Sequence, residues 1–94
     1  MPAWFYMLRL ESGRLYPGAT TNLHQRWRDH LEGKGGRTTA IDPPVSLAYQ
    51  ESFATFTEAR NREAQVKRWS AAKKEALARG DRETLRRLAA SREN

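Results

Sequence analysis

The first ten residues place apolar side chains on both faces of an extended segment, with Trp4, Tyr6, Leu8 and Leu10 on one and Phe5 and Met7 on the other. A strand without a polar face is one covered on both sides, so residues 3–10 read as an interior β-strand. Glu11-Ser12-Gly13 then reads as a three-residue hairpin loop with glycine in the left-handed position, leading into a second strand over 14–19. That loop length fixes the register: 10 pairs with 14, which sets 8 opposite 16 and 6 opposite 18. Tyr6 and Tyr16 thereby become diagonal neighbours on one face, and Gly18 leaves space over Tyr6. A two-residue loop would split the tyrosines between the faces.

The pattern then changes to a helical period. Asn22 is an N-cap with Gln25 three residues on, a capping-box variant, and Gly33 is a stop, so a helix spans about 23–32. Its apolar stripe is Leu23, Trp27 and Leu31; Arg26 and His30 run beside it at a spacing of four. Gly33 to Thr39 reads as a flexible loop carrying the cations Lys34 and Arg37, and Pro43-Pro44 ends it. Val45, Leu47, Tyr49 and Phe53 alternate into a third strand. Thr55 and Glu58 form a full capping box for a helix running to about Trp69. Ser70 and Asp81 are candidate N-caps for two further short helices separated by Gly80, and Ser91 to Asn94 are expected to fray.

The chain has 94 residues, enough for one domain and one modest core. Its net charge is +6, and the excess is uneven: residues 1–56 carry 6 Lys/Arg against 5 Asp/Glu, whereas residues 57–94 carry 11 against 6. A basic C-terminal part attracts polyanions, with nucleic acid the default partner and an acidic membrane surface the second choice; a solvated arginine-rich helix surface is the plainer alternative. The absence of cysteine excludes disulfides, thiol catalysis and thiolate zinc sites. No secretory leader pattern and no membrane-spanning apolar run is present, so the expectation is a soluble, cytoplasmic protein.

Candidate chemistry follows from position. On the helix after Thr55 the inward positions are Ala59, Arg62 or Glu63, Val66, and Trp69 or Ser70, so the Glu63 carboxylate is drawn toward the sheet. A buried carboxylate needs a cation, a hydrogen-bond cage or a metal; the alternative is a surface pair with Lys67 at i+4. One carboxylate suffices for Mg²⁺, which keeps most of its waters and takes its remaining oxygens from a substrate phosphate. Arg26 offers a fork of donors to a phosphate. His30 is a base or water-orienting group near neutral pH, or else a polar edge residue over Trp27. Tyr6 and Tyr16 are either core aromatics or catalytic hydroxyls. Phosphate-binding and nucleophile-elbow glycine motifs are absent.

The order Trp4-Phe5-Tyr6, Tyr16-Pro17-Gly18, Arg26, His30 and Glu63 resembles the GIY-YIG nuclease family, in particular its small stand-alone bacterial members. Leu15 to Leu23 is similar to the family's second strand and turn, Gln25 to His30 to its first helix, Gly33 to Thr38 to its glycine and cation loop, and Ala59 to Lys67 to its glutamate-bearing helix. The resemblance implies an α/β (α+β) fold, a small three-stranded antiparallel sheet flanked by helices, with residues 1–80 as the nuclease-like domain and 81–94 as a short helix and tail packed on it. It implies that Glu63 holds a single Mg²⁺ or Mn²⁺ and that Arg26 engages the scissile phosphate. Tyr6 and Tyr16 would position or deprotonate water, with His30 as assistant or base. Lys34, Arg37, Lys67 and Arg68 are the candidate nucleic-acid contacts. Pro17 removes a backbone donor, which sets that point at an edge or beyond the ladder. The expected activity is metal-dependent endonucleolytic hydrolysis of DNA, including structured or single-stranded DNA. The alternative is a catalytically weak nucleic-acid-binding or adaptor module that acts with a partner protein, or a subunit activated inside a complex.

Overall fold

The computed structural model describes residues 1–90, so the tail expected to fray lies outside the described residues. Strands β1 (Ala3–Leu10), β2 (Leu15–Thr20) and β3 (Pro44–Phe53) form one antiparallel sheet in the order β2-β1-β3. The central place of β1 accounts for its two apolar faces. On one, Phe5 and Met7 pack with Leu15, Val66 and Leu77; on the other, Tyr6, Leu8 and Leu10 pack with Tyr16, Leu23 and Trp27.

The hairpin takes the register its loop length predicts. Leu8 pairs with Tyr16 and Tyr6 with Gly18, Leu10 N–H donates to the Arg14 carbonyl at 2.9 Å, and Gly13 adopts φ +94°. Pro17 falls on the edge strand, where a missing donor costs no inner ladder.

Helices α1 (Leu23–Leu31), α2 (Arg37–Ile41), α3 (Phe56–Lys67), α4 (Ala71–Arg79) and α5 (Arg82–Ala90) surround the sheet. The capping signals act as read: Asn22 accepts from Gln25 N–H, Thr55 and Glu58 complete their box, Ser70 accepts from Lys73 N–H, and Asp81 accepts from Thr84 N–H at 3.1 Å. At α1 the reciprocal half of the box is missing, because the Gln25 amide donates to Asp29 and the Asn22 N–H goes to Thr20 Oγ1.

Three expectations are corrected. The segment expected to be a flexible loop folds at its end into α2, held against α1 by buried Thr39. Leu31, assigned to the buried stripe of α1, is 54% exposed, and His30 takes the inward place at 1%. On β3 the strict alternation breaks where irregularities between Met7 and Leu8, and between Arg9 and Leu10, shift the register; Val45 and Leu47 turn outward while Ala48, Tyr49 and Phe53 meet the core.

Candidate active site

Tyr6 projects from the middle of the central strand toward α1, diagonal to Tyr16 on β2. Gly18, directly opposite Tyr6, is what allows the reach: a Cβ there would lie 2.3 Å from the Tyr6 hydroxyl. The phenol therefore lies across the bare backbone of β2 and brings its oxygen to the free edge of the sheet. Helix α3 packs on the opposite face, with Val66 against Phe5 and Met7, and brings Glu63 to the same edge.

There the two faces share a cleft of about 540 Å³, lined by Tyr6, Tyr16, Gly18, Arg26 and Glu63 together with Ala19, Thr20, Thr21, Phe56 and Arg60. The structure thus gathers Tyr6, Tyr16, Arg26 and Glu63 around one space.

His30 stands behind the cleft. Its ring meets those of Tyr6 and Tyr16 edge-on at centroid distances of 5.9 and 5.6 Å. The hydrogen bonds assign its tautomer. Thr39 Oγ1 donates to the Gly36 carbonyl at 3.5 Å, so it accepts from His30 Nδ1–H at 2.8 Å; Nε2 is then bare and accepts the Tyr6 hydroxyl at 2.9 Å. Burial, and next the Arg26 charge, push the His30 pKa from 6.5 down to about 4, so the ring is neutral at physiological pH. Burial likewise raises the Tyr6 pKa, against the opposing pull of Arg26, and keeps it a phenol. Gly35 makes room for this arrangement, since a Cβ there would lie 2.3 Å from His30 Nδ1.

Arg26, one turn before His30, is clamped rather than free. Its Nη2 donates to the Gly35 carbonyl at 2.8 Å and its Nε to the Tyr6 oxygen at 3.4 Å, which leaves three of its five N–H groups for a ligand. Glu63 is 22% exposed and pairs loosely with Arg60 at 3.5 Å, not with Lys67. Among the described residues no three His, Asp or Glu gather as a metal cage.

The four cations expected to contact nucleic acid are not part of this cleft. Lys34 is exposed and pairs with Glu32 at 3.4 Å, Arg37 opens α2 on the surface, and Lys67 and Arg68 sit exposed at the end of α3. Arg60, Phe56 and Thr39 are among the residues at the site that the sequence did not single out. Arg60 and Phe56 precede Glu63 by three and seven positions, a helical spacing that puts all three on one face; Thr39 carried no signal beyond a hydroxyl beside a glycine-rich stretch.

Comparison with known proteins agrees with this fold. Residues 2–76 match the model of the GIY-YIG catalytic domain. A UPF0213 protein of Bacillus pumilus is 42% identical over 72 residues, 77% of this chain and 74% of its own. A UPF0213 protein of Halobacterium salinarum is 39% identical over 77% of this chain and 94% of its own. The solution NMR structure of a UPF0213 protein of Bacillus halodurans superimposes with a TM-score of 0.56 at 33% identity, over 86% of each chain.

Proposed function

We propose that this chain, which belongs to the GIY-YIG family, is an endonuclease that hydrolyses phosphodiester bonds in DNA with the help of one divalent metal ion. The supporting observation is the convergence of Tyr6, Tyr16, Arg26 and Glu63, from four separate elements, on one cleft at the sheet edge. A structural role explains any one of them; it does not explain why Gly18 and Gly35 are hollowed out to bring them together.

In this reading the clamped Arg26 guanidinium receives the scissile phosphate and stabilises the charge that grows on it during attack. Tyr6 and Tyr16 hold the attacking water by hydrogen bonds. His30 touches no substrate: it takes the Tyr6 proton in a hydrogen bond and so turns the phenol lone pairs toward Arg26 and the cleft. It is a positioning residue, and its low basicity suits that task better than proton abstraction. One carboxylate does not make an all-protein cage, but it fits a hydrated Mg²⁺ or Mn²⁺, which completes its shell with water and phosphate oxygens. Glu63 would hold that ion, whose charge would offset the phosphate; the long pair to a mostly exposed Arg60 leaves the carboxylate free to do so.

A panel of labelled single-stranded, duplex, nicked and branched DNAs with Mg²⁺ or Mn²⁺ tests the proposal. Cleavage is expected, falling roughly 10²–10³-fold in Glu63→Ala. Undiminished cleavage by that variant would sink the mechanism, and salt-sensitive binding with no cleavage of any substrate would leave a binding module in its place.

A further inference from the structure

Beside the cleft, toward the hairpin, runs a narrower groove of about 220 Å³. Leu15, Tyr16 and Pro17 of β2 form one wall, and Arg14, Lys67 and Lys74 bring charge to it. Tyr16 lines both spaces, so the groove and the cleft lie side by side along β2. The course of α3 takes it past both. Phe56, Arg60 and Glu63 face the cleft and Lys67 the groove, at offsets of four, seven and eleven, which keep one helical face. That stripe follows the edge of β2 for about 16 Å at the helical rise per residue.

Three cations and no carboxylate line the groove, with Asp42 paired to Arg14 outside it. Lys67 and Lys74 make no ion pair among the described residues, and the Arg14 guanidinium, its side chain 68% exposed, pairs with Asp42 at the long distance of 3.5 Å. Charges of one sign concentrated in a groove attract a polyanion far more than the same charges scattered over a surface. An added peptide strand is a poorer occupant. Because Leu10 and Arg14 form a hydrogen-bonded pair, residues 15 and 17 turn their backbone outward, and Pro17 has no N–H to give there.

We propose that this groove holds the phosphodiester backbone of the strand flanking the bond to be cut, with Arg14, Lys67 and Lys74 each neutralising a phosphate. The direction of the track rests on the nuclease reading of the cleft; the phosphate contacts do not.

Binding of fluorescent single-stranded and duplex 20-mers is measured by anisotropy across a salt series, with chelator present so that no cleavage intervenes. Each lost phosphate contact lowers the slope of log K against log salt by about 0.9 for duplex and about 0.7 for single strands. Arg14→Ala/Lys67→Ala/Lys74→Ala is expected to lose about 2–3 units of slope, and Lys67→Glu alone, at an exposed site, about one. The charge-matched control Arg28→Ala/Arg86→Ala/Arg87→Ala should lose less than half as much as the triple groove variant. Equal losses in both triple variants, or no loss in the first, overturn the groove. Cleavage by the native chain alongside unchanged slopes would overturn the groove and spare the nuclease. A slope loss confined to the groove variants without cleavage of any substrate would do the reverse, and no binding even at low salt would remove both.

Discussion

Gly18 is the residue on which the reach of Tyr6 depends. A methyl group there would occupy the place of the Tyr6 hydroxyl, and the phenol cannot retreat without breaking its bonds to His30 and Arg26. Gly18→Ala is therefore expected to cost about 1–3 kcal/mol in overpacking and to lower cleavage roughly 10²-fold through displacement of the hydroxyl; urea denaturation and the cleavage assay read the two effects separately. His30 makes a second prediction at this scale. Its folded pKa of about 4 lies below the unfolded value of 6.5, so between those pH values the unfolded chain binds a proton that the folded chain refuses. Stability from this group is complete above pH 6.5 and falls as pH drops toward 4, by a total on the order of 3 kcal/mol. Glu75, Asp42 and Asp81, whose pKa values are lowered by Arg9, Ser12 and Thr84 respectively, lose their contributions only at lower pH, in the carboxylate range. Urea denaturation from pH 7 to 4.5 should show this loss in the native chain and a flatter profile in His30→Gln; parallel profiles would show that the ring is not the source.

Among the elements, the hairpin and the caps were legible because their causes are local: a three-residue loop sets a register, and a side-chain oxygen satisfies an N–H three residues on. The placement of Tyr6, Tyr16, Arg26 and Glu63 on those elements inherited that legibility, whereas a shared role for them was implied only by the family resemblance. Helix α2 was not legible, having five residues, no apolar period and a glycine at its N-cap. Its order comes from a contact distant in sequence, Thr39 against His30, and the same contact draws His30 inward in place of Leu31. Likewise, the break in β3 is set by pairing irregularities with β1 that no count along one strand reveals. If Thr39 anchors α2, Thr39→Val, which keeps the shape and removes the hydroxyl, leaves His30 Nδ1–H buried without a partner. The expected cost is about 1–3 kcal/mol, with Thr39→Ser recovering most of it. Amide exchange over residues 37–41 should quicken in the valine variant and not in the serine one; unchanged exchange would mean that α2 is held by something else.

Over the whole molecule, β1 is what makes the parts inseparable. Its Phe5 and Met7 side chains belong to the cluster with Val66 and Leu77, and Tyr6, Leu8 and Leu10 to the cluster with Leu23 and Trp27, so neither cluster can melt without uncovering the strand the other needs. Arg9 adds a tie from β1 to α4, with its second amino group 2.8 Å from Glu75. The last helix joins the same body, because Leu85 packs against the first cluster. One cooperative transition should follow, with calorimetric and van't Hoff enthalpies equal, near 65 kcal/mol at about 0.7 kcal/mol per residue. Leu85→Ala, at a partly buried site, should cost about 1–2 kcal/mol, less than a fully buried leucine. That lowers Tm by roughly 4–16 °C for a domain of this size. The transition should remain single, since α5 leans on the core without supplying it. Far-UV circular dichroism and tryptophan fluorescence, the latter reporting from Trp4 in β1, Trp27 in α1 and Trp69 just after α3, should lose their signals together. If helical signal disappears first while the fluorescence holds, α5 is a separate unit and the domain ends before it.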